Sequence, residues 1–151
     1  MPNDLDALQM NISSSMVVAA RHWRKICQTT LVNYGISEAC AVPLLMIGRL
    51  GDGVRQVAVA QASGMESPSL VRLLDQLCHA GHVCRTGDAQ DRRAKCLSLT
   101  DTGRALVQQV EVELVRLRHE TLEGIDRGDL EAALRVLRAF ESASQTAVIN
   151  P

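Results

Sequence analysis

The sequence predicts a mainly α-helical fold with a small β-hairpin: a winged helix-turn-helix between N- and C-terminal dimerisation helices. Apolar residues near both ends recur three and four positions apart, and two short central helices are joined by a glycine-containing turn. Residues 81–103 read as two short strands joined by a loop. The predicted parts are residues 1–36, the first dimerisation helix, 37–103, the winged helix-turn-helix, and 104–151, the last dimerisation helices.

The first part is predicted to be one long amphipathic helix. Its apolar side chains follow the period of a single helix face. They are Leu8, Ile12, Met16, Ala19, Ala20, Trp23, Ile26, Cys27, Leu31 and Tyr34. The pattern predicts that this helix stops near Gly35.

Three shorter helices are predicted in the centre. Ser37 can cap the first of them, and a second covers about residues 54–62. Ser67 is a suitable N-cap and Pro68 suits the first helical position, so the third helix runs from there to about Ala80. The last two of these helices form the helix-turn-helix.

The hairpin carries a cluster of like charges at its far end, formed by Arg92, Arg93 and Lys95. A hairpin needs no such cluster to fold, and the cluster costs free energy unless an anion compensates it. The formal net charge is −1, so any binding of nucleic acid must come from local placement of basic residues. The segment therefore predicts a basic finger that enters a DNA groove.

The C-terminal part is predicted to hold two helices, the first capped by the segment 100–103. The apolar positions are Leu106, Val110, Leu114, Leu117 and Leu122, then Leu130, Leu134, Leu137 and Phe140. The centre is too small to cover the apolar stripes of the terminal helices. A homodimer is therefore expected.

Composition argues against several other classes. No uninterrupted apolar run reaches the roughly 18 residues of a membrane span, so a cytoplasmic protein is expected. Five cysteines without metal-ligand spacing fit a reducing compartment, and no cofactor or metal is expected. Aromatic residues make up only 2%, which disfavours stacking on single-stranded nucleic acid.

The chain resembles the MarR family of bacterial winged helix-turn-helix regulators, and more closely its SlyA-type branch. The resemblance rests on Asp91 to Lys95 (DRRAK), Leu97 to Gly103 (LSLTDTG), Pro68 to Leu77 (PSLVRLLDQL) and Arg21 to Arg24 (RHWR). It implies a homodimer with two lobes that bind a pseudo-palindromic duplex operator in the bacterial nucleoid. It also implies repression that a small ligand relieves.

Eight residues are predicted to form the DNA-binding site. They are Ser67, Ser69, Arg72 and Gln76 on the helix, and Asp91, Arg92, Arg93 and Lys95 on the hairpin. The two serines and Arg72 lie away from the apolar stripe and can enter the major groove, whereas Gln76 is expected to touch phosphate or nothing. Arg93, with Arg92, is expected in the minor groove, and Asp91 is expected to hold an arginine by a bidentate pair. The open alternative is that these residues do not bind DNA: Ser67 caps the helix, Arg72 is solvated, and the wing residues form a weak surface ion pair.

The resemblance also implies a ligand crevice, lined by the first, second and fifth helices. Arg21 matches a position whose arginine is associated with carboxylate ligands, and a guanidinium can hold a carboxylate bidentately. The second helix would contribute Cys40, Ala41, Leu44 and Leu45. A small aromatic carboxylate or phenolic effector is expected by analogy. Alternatively, Arg21 pairs with an acidic residue of the dimer interface.

Other functions stay open. Cys84 and Cys96 fall on one face of the hairpin and could face each other, which would suit a redox-sensing regulator of the same fold. An enzyme is disfavoured because the four histidines lack ligand spacing and no catalytic triad or phosphate loop appears. A purely architectural DNA-binding protein would share the fold without the crevice.

Overall fold

The computed structural model describes residues 3–149, with side chains up to residue 147. The ends of the predicted terminal parts, residues 1–2 and 150–151, lie outside the described residues. The helices are α1 (Asp4–Leu31), α2 (Glu38–Leu50), α3 (Gln56–Ser63), α4 (Ser67–His79), α5 (Asp101–Thr121) and α6 (Arg127–Ile149), and the strands are β1 (Val54–Arg55), β2 (Val83–Gly87) and β3 (Lys95–Leu99). The described residues form two compact units that divide after Val115, within α5.

Helix α1 begins with a reciprocal cap. The Asn3 side chain accepts from the Asp6 amide, and the Asp6 carboxylate accepts from the Asn3 amide. A short 3₁₀ turn follows α1 and ends at Gly35, whose φ of 72° lies in the left-handed region. The predicted stop near Gly35 is therefore confirmed. Of the predicted apolar face, only Cys27 and Leu31 are buried.

Helix α2 forms the centre of the first unit. Ser37 caps it by accepting from the Cys40 amide at 3.2 Å, as predicted. The buried residues of α2 cover more than half of its circumference; they are Cys40, Ala41, Pro43, Leu44, Leu45 and Ile47. Pro43 lies inside the helix, where it has no N–H to donate.

The helix predicted at about residues 54–62 begins two residues later in the structure. Val54 and Arg55 form a strand that pairs antiparallel with Leu97 and Cys96, and helix α3 starts only at Gln56. The preceding Gly53 adopts a φ of 78° and donates its amide to the Leu97 carbonyl, which aligns the chain with β3. The hairpin of β2 and β3, called the wing below, is therefore part of a three-stranded sheet in the order β1-β3-β2.

The predicted N-cap of helix α4 is also wrong. Glu66, with extended backbone, precedes the helix, and no side chain caps it. Ser67 is already the first helical residue, and Glu66 accepts the first helical hydrogen bond, from Leu70. The apolar stripe behaves as expected because Leu70, Leu74 and Leu77 are buried.

Helix α5 is tied to the end of the hairpin. The Thr100 hydroxyl accepts from the Gly103 amide at 3.0 Å and donates to the Gly81 carbonyl at 2.6 Å. This confirms the predicted cap at 100–103. A Cβ on Gly103 would collide with the His82 carbonyl oxygen, so the two segments approach at a distance that only glycine permits.

The apolar stripe of α5 is covered within the chain, contrary to the expectation that a partner must cover it. Leu106, Val110 and Leu114 are buried. Gly48 on α2 lies close to α5, and a Cβ there would be 3.3 Å from the Val107 side chain, which would have to shift slightly. Uncovered apolar side chains remain on α1 and α6, among them Leu5, Leu8, Val17, Leu134, Leu137 and Phe140.

Within residues 3–149, no single helix is long and apolar enough to cross a membrane. The pair Asp4–Tyr34 and Glu38–Leu50, bent by 81°, meets the requirement by length and composition only. The same residues contain no cluster of three or more His, Cys, Asp or Glu side chains that could hold a metal ion.

Candidate nucleic-acid interface

Helix α4, called the reading helix below, presents a polar surface opposite its buried leucines. Ser67, Ser69 and Arg72 are all exposed, and among the described residues no ion pair engages Arg72. A free guanidinium on the first turns of a helix can reach the paired acceptors of a guanine edge. The geometry therefore leaves Arg72 available for a base.

Gln76 has a partner that the sequence did not indicate. Its Oε1 accepts from the Cys40 thiol of α2 at 3.2 Å. The contact joins one of the predicted effector residues to one of the predicted DNA contacts. It also fixes the amide so that its two N–H donors face away from Cys40.

Residues 88–94, called the wing loop below, are held by short turns. The Asp88 carboxylate accepts from the Gln90 amide at 2.8 Å, and the Asp91 carboxylate accepts from the Arg93 amide at 3.0 Å. The backbones of Asp88 and Ala94 pair at 3.1 Å and close the loop. The wing loop therefore has a defined backbone.

The predicted role of Asp91 is wrong in its geometry. Among the described residues its carboxylate holds no guanidinium and binds the backbone of Arg93 instead. The aspartate side chain is short and reaches an amide two positions ahead more readily than a flexible guanidinium. Arg92 and Arg93 are thus left exposed, together with Lys95.

The base of the wing is fixed by a second carboxylate. Asp52, in the turn before β1, accepts from the Leu99 amide at 3.1 Å and pairs with Arg104 of α5 at 2.8 Å. The Arg104 guanidinium and the Leu99 amide lower the pKa of Asp52. The wing therefore emerges from the domain at a defined position.

Arg55 is a component of this region that sequence reasoning missed. Its Nε and Nη2 lie 3.0 and 2.7 Å from Oδ2 of Asp88 at the start of the wing loop. The Gln90 amide and the Arg55 guanidinium lower the pKa of Asp88. A strand of two residues has no period, so only the preceding turn glycines signalled a change of direction at this point.

A cleft of about 330 Å³ lies between the wing loop and the first turns of α3 and α4. This basic cleft is lined by Arg55, Gln56, Val57, Ala60, Ser67, Leu70, Asp91, Arg93, Ala94 and Lys95. The structure thus brings four predicted site residues together, namely Ser67, Asp91, Arg93 and Lys95. The other four, Ser69, Arg72, Gln76 and Arg92, do not line the basic cleft.

The two hairpin cysteines share a face but are not opposite each other. Cys84 pairs with Ser98, whereas Cys96 pairs with Thr86 and, on its other side, with Arg55. The register is set by Val83 opposite Leu99, which buries both side chains and offsets the cysteines by two residues. The expected face-to-face arrangement is therefore wrong. Burial raises the pKa of the nearby Cys78 thiol, which disfavours a reactive thiolate there.

The predicted effector residues occupy two different environments. Arg21 is exposed on α1, whereas Cys40, Ala41, Leu44 and Leu45 of α2 are buried in the core of the first unit. A surface groove of about 470 Å³ runs along α1 beside His22, Lys25, Ile26, Thr29 and Thr30. The role of Arg21 and of the four α2 residues in binding an effector stays a prediction.

The sequence matches no protein-family model. The fold matches that of a MarR-family transcriptional regulator from Rhodococcus sp. RHA1 with a TM-score of 0.78, at 24% identity over 88% of this chain and 94% of that one. Transcriptional regulator PA3341 matches with a TM-score of 0.79, at 32% identity over 89% of this chain and 98% of that one. The chain belongs to the MarR family. Like PA3341, it is a transcriptional regulator.

Two further structures of the same fold concern DNA binding directly. S. aureus MepR is described in complex with DNA and matches with a TM-score of 0.77, at 20% identity over 87% of this chain and 96% of that one. Bordetella bronchiseptica BpsR, whose DNA binding is regulated by 6-hydroxynicotinic acid, also has a TM-score of 0.77, at 21% identity over 87% of this chain and 98% of that one. At these identities the likeness shows the fold alone.

Proposed function

We propose that this MarR-family regulator is a homodimeric repressor that binds a pseudo-palindromic duplex operator in the bacterial cytoplasm. The reading helix lies in the major groove, where Arg72 contacts a guanine and the serines contact bases or phosphates. Arg93, with Arg92, enters the minor groove, where the negative potential attracts guanidinium groups. Lys95 and Gln76 contact phosphate.

The observation that carries this proposal is the basic cleft. Two exposed cationic side chains, Arg93 and Lys95, line it beside the first turn of the reading helix, next to Arg55 in its pair with Asp88, in a protein whose net charge is only −1. Like charges gathered on one surface are stabilised by an anionic partner. The DNA complex of the similarly folded MepR is consistent with a duplex as that anion.

The proposed dimer rests on the uncovered apolar residues of α1 and α6. Leu5 and Leu8 are 58% and 56% exposed, and Leu134 and Phe140 are 50% and 41% exposed. Exposed apolar patches of this kind mark interfaces. Sedimentation at micromolar concentration should give about twice 16.4 kDa, and a stable folded monomer would contradict the proposal.

The proposed effector is a small aromatic carboxylate or phenol held by Arg21. The regulation of BpsR by 6-hydroxynicotinic acid supports this ligand class. Such a ligand releases DNA only if it favours a spacing of the two lobes that no longer matches successive major grooves. The buried α2 residues Cys40, Ala41, Leu44 and Leu45 would then have to move to admit it.

Duplex binding in the presence of aromatic carboxylates tests the effector proposal. Arg21→Ala should bind the operator like wild type but no longer release it, because truncation removes the bidentate partner of the carboxylate. Arg24→Ala, on the same helix, with the same change in charge and outside the groove on α1, is the control and should still release DNA. Equal release from wild type and Arg21→Ala would assign the anchor elsewhere.

A further inference from the structure

Arg55, which lines the basic cleft, is paired with Asp88 at the start of the wing loop. Arg55 lies at the N-terminal boundary of α3, so its backbone is fixed to the helix-turn-helix. Asp88 is the first residue of the wing loop, and only 15% of its side chain is exposed. Both Nε and Nη2 of the guanidinium approach one carboxylate oxygen, at 3.0 and 2.7 Å.

The other oxygen of Asp88 is used inside the wing loop. Oδ1 accepts from the Gln90 amide, while the Asp88 amide donates to the Ala94 carbonyl at the far side of the loop. Asp88 is thus part of the framework that shapes the wing loop. By binding the Asp88 carboxylate, Arg55 also restrains the loop that carries Arg92 and Arg93.

The Arg55 side chain is half exposed, and ion pairs that are open to solvent contribute little to folding. The position of the Arg55–Asp88 pair matters more than its energy. Arg93 can reach a minor groove only when the wing loop has a fixed position relative to the reading helix, since the spacing of the two grooves is fixed by the duplex.

We propose that Arg55 and Asp88 are positioning residues that orient the wing loop, and with it Arg93, relative to the reading helix. The inference rests on the proposed function, because orientation of the wing matters only for binding duplex DNA. Neither side chain is assigned a base contact. Asp88 therefore favours DNA binding although it carries the same charge sign as the phosphates.

Asp88→Asn gives the sharpest test, because two roles predict opposite signs. Removing a negative charge beside the DNA strengthens binding if only electrostatics matter. The asparagine Oδ1 can still accept from the Gln90 amide, but the ion pair with Arg55 is broken. Positioning predicts that operator affinity falls, by about tenfold, as expected for two directly interacting groups.

The fall in affinity should depend on Arg92 and Arg93. In an Arg92→Ala/Arg93→Ala background, Asp88→Asn should change operator affinity less than about twofold, because neither wing arginine is left to be positioned. Glu111→Gln is the matched control. It breaks the Arg49–Glu111 pair between α2 and α5, which has a similar length of 2.8 Å and lies outside the predicted DNA site, and it should leave the affinity unchanged.

A measurement without DNA also tests whether Arg55 positions the wing loop. In free Arg55→Ala, the amides of Gln90, Arg93 and Ala94 should exchange with solvent at least about fivefold faster than in wild type, whereas Glu111→Gln should not change them. Unchanged exchange would overturn the positioning role. Equal or tighter operator binding by Asp88→Asn would also overturn it while leaving the proposed function intact. Failure of wild type to bind any duplex would instead refute the proposed function.

Discussion

Gly103 shows how one residue can determine a local packing arrangement. It lies in the first turn of α5, where its amide donates to Thr100, and a Cβ would collide with the carbonyl of His82 just before the wing. The Leu-Thr-x-x-Gly pattern of residues 99–103 therefore has a physical reason. The glycine lets α5 start directly against the backbone that leads into β2.

Gly103→Ala should destabilise the protein by about 1–3 kcal/mol, the usual cost of forcing an extra methyl group into a packed site. Chemical denaturation followed by circular dichroism measures the effect. Gly87→Ala is the control, because a Cβ there meets no atom within 4 Å, and it should stay within about 0.5 kcal/mol of wild type. Equal stability of both variants would show that the approach to His82 relaxes easily.

Arg72 should determine the preference for one base in each half-site. Arg72→Ala is expected to cost roughly 1–3 kcal/mol of operator binding and to remove the discrimination at that position. Lys95→Ala serves as the contrast, since removing a phosphate contact weakens binding to all sequences equally. Affinities for a set of single-base operator variants provide the measurement. If each base change lowers the operator affinity of Arg72→Ala as much as that of wild type, Arg72 contacts no base.

The wing is the element in which the sequence and the structure differ most. Its strands and the charge cluster at its tip were predictable, because glycines bound the hairpin and three cations fall in four positions. The third strand was not, because two residues carry no alternation. The link from Arg55 to Asp88 spans 33 positions and depends on that strand, so no local pattern could reveal it.

For the helices, several ends were predictable from the sequence, whereas the packing was not. Caps such as Ser37 and Thr100 act over three residues and could be read from sequence. The covered stripe of α5 could not, since α5 packs near residues that are distant in the sequence, such as Gly48 of α2. The positions of the two cysteines likewise depended on which residues of β2 and β3 pair. Shifting the pairing by two residues keeps the same side chains on each face, so the sequence pattern fits both pairings equally well.

Arg93 tests the wing as a DNA-binding element. Arg93→Ala should weaken operator binding by roughly tenfold or more, since charged hydrogen bonds contribute about 1.5–3 kcal/mol each. The dependence of log K on log salt should become shallower by up to about one unit, because one fewer cation displaces counterions from the duplex. Thermal stability should not change, because the side chain is exposed. Arg127→Ala removes the same charge from α6 and should alter neither quantity; an Arg93→Ala protein that behaves like this control would remove the wing from the interface.

At the scale of the whole molecule, the proposed function depends on two reading lobes acting together. One reading helix and one wing contact only a few base pairs, whereas two copies related by a twofold axis require two inverted half-sites at a fixed spacing. Dimerisation through the uncovered residues of α1 and α6 supplies that symmetry in the proposed function. The spacing of half-sites is therefore a property of the dimer and not of the domain.

Selection of bound sequences from a pool of random duplexes tests recognition by paired reading helices most directly. The wild-type protein should enrich a pseudo-palindrome whose two half-sites have centres about 10–10.5 base pairs apart, or a multiple of that spacing. Arg72→Ala should enrich the same spacing with one position in each half-site made degenerate. Enrichment of a single unpaired half-site, or of no sequence at all, would contradict specific recognition by a symmetric pair of reading helices.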